Sequence, residues 1–283
     1  MKKGLILAAA CLAAASVLGA QDFSFKLTGG ASYATLGDFA KGLSGQSDYL
    51  RDEYLAGGDF KAPALGFGGS AEIVFHFRPN LGLGLGAGFF RHSAAGTMTY
   101  DVSFISVQET TTPTVQVVPL TLNLHYYLPA GPALTVDLWA GGGYYLSWLS
   151  WDYRFDTSLL GFSGYDLYAF KGVKGGIGFQ GGLGLEYALG PGLALVLNVS
   201  GRYASIGDWS GDWSEEGGGD FWEYADSGTG HAAWAFDWEY GGRTYAQILF
   251  QADEPAAPAF SNVRPAKLDL TGVTASIGIR IRI

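Results

Sequence analysis

Apolar and polar positions alternate along eight stretches of this 283-residue chain. The last stretch is the plainest. From Val273 onward every odd position is apolar (Val273, Ala275, Ile277, Ile279, Ile281, Ile283), and the even positions carry Thr, Ser, Gly and Arg. A period of two gives a strand one oily face and one polar face. Seven further stretches behave alike, at 23–34, 64–78, 81–94, 114–128, 133–148, 175–188 and 192–203. Their oily faces include Phe23, Phe25 and Leu27, then Phe67 and Ile73, Leu83 and Leu85, Leu120 and Leu122, Ile177 and Phe179, and Leu195 and Leu197. Along 81–89 the other face is glycine: Gly82, Gly84, Gly86 and Gly88. Side chains of the size of Phe90, Trp139 or Tyr145 are expected to fill that space.

The connections alternate in length. Three are tight: Pro79-Asn80, 129–132 and 190–192. Four are long: 36–63, 95–113, 149–174 and 204–267. Short turns at one end and long loops at the other are the layout of a transmembrane barrel, with turns periplasmic and loops extracellular. After the first twenty residues no apolar run is long enough to make a spanning helix. A spanning chain without such helices must satisfy its backbone in a closed barrel. The expected fold is therefore all-β: an antiparallel up-and-down transmembrane barrel of eight strands, with ten as the alternative. Pro119 falls inside the fourth strand and lacks the N–H that a ladder needs, which predicts a bulge there.

The strand 117–122 (Val117-Val118-Pro119-Leu120-Thr121-Leu122) and the alternating ending at 268–283 carry a family likeness. The layout resembles the eight-stranded outer-membrane barrels of the OmpA/OmpX type and the related opacity-like surface proteins. That resemblance implies an integral outer-membrane protein, in contact with lipid and lipopolysaccharide and assembled by the barrel-assembly machinery. The family's final strand usually ends on an aromatic residue, and Ile283 departs from that. The resemblance covers the strands and not the loops. It implies an anchor and leaves the ligand open.

The N-terminus agrees with export. Lys2 and Lys3 precede an apolar run and a small-residue site at Ala20, the pattern of a signal peptide over 1–20. The remaining 21–283 form one expected domain. Cys11, the only cysteine, leaves with the signal, so no disulfide is expected. Gly 44 and a charged content of 15% also separate this chain from a helical globular protein.

The polar faces must fill the lumen, since an eight-stranded barrel has room only for side chains. Charges placed there are Lys26, Glu72, His76, Arg78, Asp137, Glu186, Arg202, Arg280 and Arg282. Buried charges must be paired. The expectation is a salt-bridged plug that joins Glu72, Asp137 and Glu186 to Lys26, Arg202, Arg280 and Arg282. A charged passage for small solutes is the alternative.

Between 208 and 264 there are eleven acidic residues against Arg243 and Arg264, a difference of nine that equals the size of the whole net charge of −9. Five of eight tryptophans lie in the same loop: Trp209, Trp213, Trp222, Trp234 and Trp238. Together with Asp208 and Asp212 they are the candidate interaction residues, suited to a protein partner or a glycan. The bland reading is a loop folded around its own tryptophans. No calcium-loop spacing is present, so no metal is expected. Residues 231–240, Gly241-Gly242 and 243–251 read as a hairpin, and we expect it outside the membrane. Its insertion would make the ten-stranded barrel.

Gly176 to Gly181 matches the dinucleotide fingerprint, but alternation runs straight through it where the fingerprint needs a helix. No cofactor and no nucleic-acid partner are expected. The leading function is an anchor for surface loops in interaction or envelope structure. A narrow porin is the runner-up. A membrane-embedded lipid-modifying enzyme is a third reading, and it needs a His with a Ser or an acid at one rim; the expectation is a protein that is not an enzyme.

Overall fold

The computed structural model describes residues 22–220 and 222–283. The expected signal peptide lies outside the described residues. Fifteen strands and one helix follow in order: β1 (Asp22–Ala34), α1 (Asp38–Tyr54), β2 (Gly57–Asp59), β3 (Leu65–Arg78), β4 (Leu81–Ser93), β5 (Gly96–Val102), β6 (Ile105–Pro129), β7 (Leu134–Leu159), β8 (Phe162–Gly190), β9 (Leu193–Ile206), β10 (Ser210–Gly219), β11 (Trp222–Tyr240), β12 (Arg243–Gln251), β13 (Phe260–Pro265), β14 (Leu268–Asp269) and β15 (Gly272–Arg282). The count of eight thus describes only part of the sheet.

The eight alternating stretches pair antiparallel in a circuit: β1 with β3, β3 with β4, β4 with β6, β6 with β7, β7 with β8, β8 with β9, β9 with β15, and β15 with β1. Outward along it stand the apolar positions of the alternation, among them Phe25, Phe67, Leu85, Leu122, Phe179, Leu197 and Ile277, all exposed. Inward stand Ser24, Lys26, Thr121, Asn123, Asp137 and Glu186, all buried. The inside is polar and the outside oily, the reverse of a water-soluble barrel.

Three expectations are corrected. Two of the long loops are strand. β6, β7 and β8 run for 25, 26 and 29 residues, so β7 reaches roughly 85 Å along its length. Alternation weakens above the circuit because both faces of this tall ribbon are differently covered there. The first loop holds α1, whose buried positions Phe39, Leu43, Ser47 and Leu50 recur at helical spacing. Its two interior glycines, poor helix formers, hid it in the sequence. Pro119 makes no bulge. Ala87 faces Leu120 and Phe90 faces Val117 in one unbroken register, and only the two intervening pairs are missing. The strand absorbs the lost N–H by a gap in the ladder.

The sheet forks at β8. Its lower half pairs with β9, from Gly178 to Gly190. Its upper half pairs with β10, from Gly164 to Gly172. From β10 the sheet runs on through β11 to β12. The β11–β12 hairpin turns at Gly241 and Gly242, both with positive φ (59° and 78°), as a two-residue primed turn requires. Neither hairpin strand pairs with a strand of the circuit. On the other side, β5 pairs with upper β6 and β2 with β5.

α1 lies against β12. A Cβ on Gly42 would overlap the Ile248 side chain, and one on Gly45 would overlap the Ala246 carbonyl. The two glycines let helix and strand touch at backbone distance. Helix, upper ribbon and hairpin together enclose an apolar core of Leu36, Phe39, Leu43, Leu149, Trp151, Phe170, Trp209 and Phe250. We call this unit the cap.

Candidate functional site

The first candidate site is the ionic layer inside the circuit. Lys26 on β1 places Nζ 2.6 Å from Asp137 on β7 and 3.3 Å from Glu186 on β8. Arg280 on β15 pairs with the other oxygen of Glu186. The Glu186 oxygens make these contacts by charge and without aligned hydrogen bonds. His125 on β6 sits between two carboxylates, 3.0 Å from Asp137 and 3.2 Å from Glu72. Both ring nitrogens face acceptors, a demand that the doubly protonated ring meets. In that form three cations face three carboxylates. Lys26, His125, Asp137 and Glu186 are all buried.

A chain of amides continues upward from this layer. Tyr145 donates to Gln180 (3.1 Å), Gln180 to Asn123 (3.1 Å) and Asn123 to Glu72 (2.7 Å). Beside the chain is a cavity of about 80 Å³, lined by Thr28, Thr121, Asn123, Gln180 and Ser200 among others. A cavity of that size holds a few waters.

Two of the seven interior charges stand elsewhere than the plug reading placed them. Arg202 meets no carboxylate among the described residues: it donates to the Leu270 carbonyl (2.8 Å) and to Ser32 (3.1 Å), and lies over the Phe90 ring at 4.8 Å. It lies in the upper lumen, apart from the ionic layer. Arg282 sits at the lower rim with Asp22, 3.0 Å away and partly exposed. The glycine face of β4 is filled by its neighbours Glu72, His125, Thr121 and Pro119. Trp139, Tyr145 and Phe90 occupy room beside Gly182, Gly178 and Gly68 instead. Reasoning from charge alone missed Asn123 and Gln180, and the expectation of His125 as a polar lumen or interface residue gave it no partners. The signal was there: 121, 123 and 125 are successive inward positions of one strand.

At the lower rim Ser24 and His76 are hydrogen-bonded at 2.9 Å. A Ser–His pair is part of what a hydrolase needs, but Ser24 is wholly buried and His76 Nδ1 has no partner among the described residues. Among the described residues no acid is hydrogen-bonded to the ring.

The tryptophans do not form one face. Trp209 is buried (1% exposed) and donates to the Ile206 carbonyl at 3.0 Å. Trp234 donates to Gln251, Trp238 packs 4.5 Å from Tyr49, and Trp213 stacks 4.4 Å from His231. Trp222 is exposed (46%), as are Asp208 and Asp212. No group of His, Cys, Asp and Glu suited to a metal occurs among the described residues. The exposed apolar residues of the cap instead mark the hairpin tips: Phe104 at 83% and Leu160 at 86%.

One buried carboxylate of the cap has its own donors. Glu109 accepts from Tyr100 (2.5 Å) and Tyr153 (2.6 Å). Burial first, and the neighbouring Glu109 after it, push both hydroxyls well above the ordinary tyrosine range. Burial lowers the His231 imidazole below its usual value.

Residues 5–244 match the family described as outer membrane protein beta-barrel domain. The chain belongs to that family. Membership agrees with the resemblance carried by the strands and supports an outer-membrane location. Among solved structures the chain is similar to the outer membrane protein OprG of Pseudomonas aeruginosa, with 16% identity and a TM-score of 0.37 over 93% of this chain and 95% of that one. It is also similar to a major outer membrane protein of Thermus thermophilus, with 15% identity and a TM-score of 0.37 over 92% and 99%. Both likenesses are too distant to carry a residue's role across. Among curated proteins there is no significant match.

Proposed function

We propose that this family member is an integral eight-stranded barrel whose lumen is closed by ion pairs, and that it serves to anchor the cap on the outer face of the membrane. The observation that carries this reading is the buried layer of Lys26, His125, Asp137, Glu186 and Arg280, which joins five strands across the lumen. A barrel of this size filled by paired side chains leaves no room for a solute. The oily outer faces supply the lipid contact, and an N-terminal signal peptide and the assembly machinery belong to the same reading.

The cap supplies the outward surface. Its apolar tips at Phe104 and Leu160, with Trp222 and the acidic stretch beside them, suit contact with an extracellular protein or glycan better than solvation does. The polar cavity of 80 Å³ is the one feature that favours the second reading, a narrow pore.

Planar-bilayer recording of the refolded protein tests the choice. The closed barrel is expected to give no stable conductance steps. Steps with an ion selectivity that shifts in Glu186→Gln would reverse the order of the two readings.

A further inference from the structure

We propose that the cap holds a binding site for a small, mostly apolar molecule carrying a single hydrogen-bonding group. The inference goes beyond the anchor reading and does not depend on whether the lumen is sealed.

Between α1, β12 and the upper ribbon lies a cavity of about 270 Å³. The cavity is partly open to solvent, so a small molecule can reach it. Its walls are oily: Leu43 from the helix, Trp151 and Tyr168 from the ribbon, Ile248 and Phe250 from β12. An apolar cavity of about 150 Å³ already accommodates benzene, so one or two fused rings match this volume.

Two residues of its lining each carry a buried polar atom without a protein partner. Thr111 Oγ1 and Gln247 Nε2 line the same cavity, their side chains are buried, and neither atom has a hydrogen-bond partner among the described residues. Nearby polar groups are treated differently. The Tyr153 hydroxyl donates to Glu109, and the Tyr168 hydroxyl donates to the Phe250 carbonyl. The fold satisfies these two tyrosines and leaves one amide N–H and one hydroxyl of the lining residues unpaired. A buried polar atom without a partner is costly. A ligand oxygen that accepts from Gln247 and exchanges a hydrogen bond with Thr111 would remove that cost, while its ring fills the aromatic walls. Few convergent polar groups in an apolar cavity are the usual composition of a small-molecule site.

The ligand class is therefore a neutral phenol, alcohol or ketone on one or two rings. 1-Naphthol is a suitable probe. The full protein, refolded into lipid nanodiscs, is titrated by calorimetry, with protein-free nanodiscs as the blank. Saturable one-to-one binding is expected, with naphthalene weaker by about tenfold for want of the hydroxyl. The double substitution Thr111→Val, Gln247→Leu is expected to erase that difference. Filling the cavity with Gln46→Trp is expected to abolish binding of both probes. Absence of saturable binding to the wild type, or equal binding by Gln46→Trp, overturns the proposal and leaves water as the occupant. Should the filled variant not fold, intermolecular NOEs on the wild type decide. Contacts from 1-naphthol to Trp151 and Phe250 support the site, and contacts confined to lipid-facing Leu122 and Phe179 overturn it.

Discussion

Lys26 Nζ lies 2.6 Å from Asp137 Oδ2 although their strands stand diametrically opposite in the circuit, four pairings apart in either direction. The residues facing Lys26 on its neighbouring strands are Glu72 and Arg280. Yet Glu72 is taken by His125 and Asn123. The lysine therefore reaches across the lumen and ties opposite walls together. Lys26→Met leaves Asp137 and Glu186 buried with less counter-charge. We expect a loss of about 3–5 kcal/mol, the usual cost of breaking a buried pair from one side. Replacing both partners, Lys26→Met with Asp137→Leu, is expected to cost less than the two single changes summed. Urea unfolding in lipid vesicles measures all three, and strict additivity would count against the pairing.

The outward positions make a second prediction. Leu122 stands exposed on β6, with inward Thr121 beside it. Leu122→Arg is expected to cost about 2–4 kcal/mol if the residue sits near the bilayer midplane, and Leu195→Arg the same. Thr121→Ser is expected to cost much less. The same unfolding assay reads this, and equal tolerance at Leu122 and Thr121 would remove the assignment of faces.

Helix docking gives a third. Glycine to alanine inside an exposed helix normally stabilises by about 0.5–1 kcal/mol. At Gly45 the added Cβ would overlap the Ala246 carbonyl, and overpacking of this kind costs about 1–3 kcal/mol. The clash outweighs the gain in helix propensity, so Gly45→Ala is expected to loosen α1. Faster amide exchange over 38–54, with heat-modifiable migration on gels unchanged, is the expected pattern. Unchanged exchange would show that the helix is not seated on β12.

Removal of 208–260 gives a fourth. The deletion takes away β10 to β12 and most of the surface under α1, but the pairings of β9 with β8 and β15 remain. A short linker is expected to preserve heat-modifiable migration. Residues 36–63 should become open to protease, since Phe39 loses Trp209 and Leu43 loses its wall on β12. Failure to assemble would mean that the segment supports the membrane strands directly.

Tyr100 and Tyr153 set a pH limit on the cap. Their hydroxyls are held above the ordinary tyrosine value, chiefly by burial and then by Glu109. A raised pKa in the fold contributes stability that is full below the unfolded value near 10 and is lost as pH climbs above it. Cap unfolding, followed by tryptophan fluorescence, should therefore become easier above about pH 10. In Tyr100→Phe, Tyr153→Phe the cap should be less stable at neutral pH, because Glu109 loses both donors, and its alkaline sensitivity should shrink. An alkaline limit unchanged in the double variant would exclude these two hydroxyls as its source.

The sequence by itself determined the circuit strands, the face each turns outward, the tight turns and the β11–β12 hairpin. These are local: a period of two follows from strand geometry, and Gly241-Gly242 suits only a few turns. It also placed Lys26, Glu72, Asp137 and Glu186 inside. Only the tertiary structure decided which charges meet, because Lys26 passes over its register neighbours for a partner 111 residues away. The same holds for His125, whose value as a bridge depends on two carboxylates from other strands. α1 was illegible because its burial against β12 rests on two glycines, residues of low helix propensity that here permit backbone contact. The tryptophans mislead for a related reason. Five in one loop suggest one surface, but Trp209 is drawn under the helix and Trp222 left outside, since the sheet curls and sends successive positions to different sides. Period and turn chemistry act over a few residues; the lumen pairs and the cap are set by strands that meet only once the sheet has closed and forked.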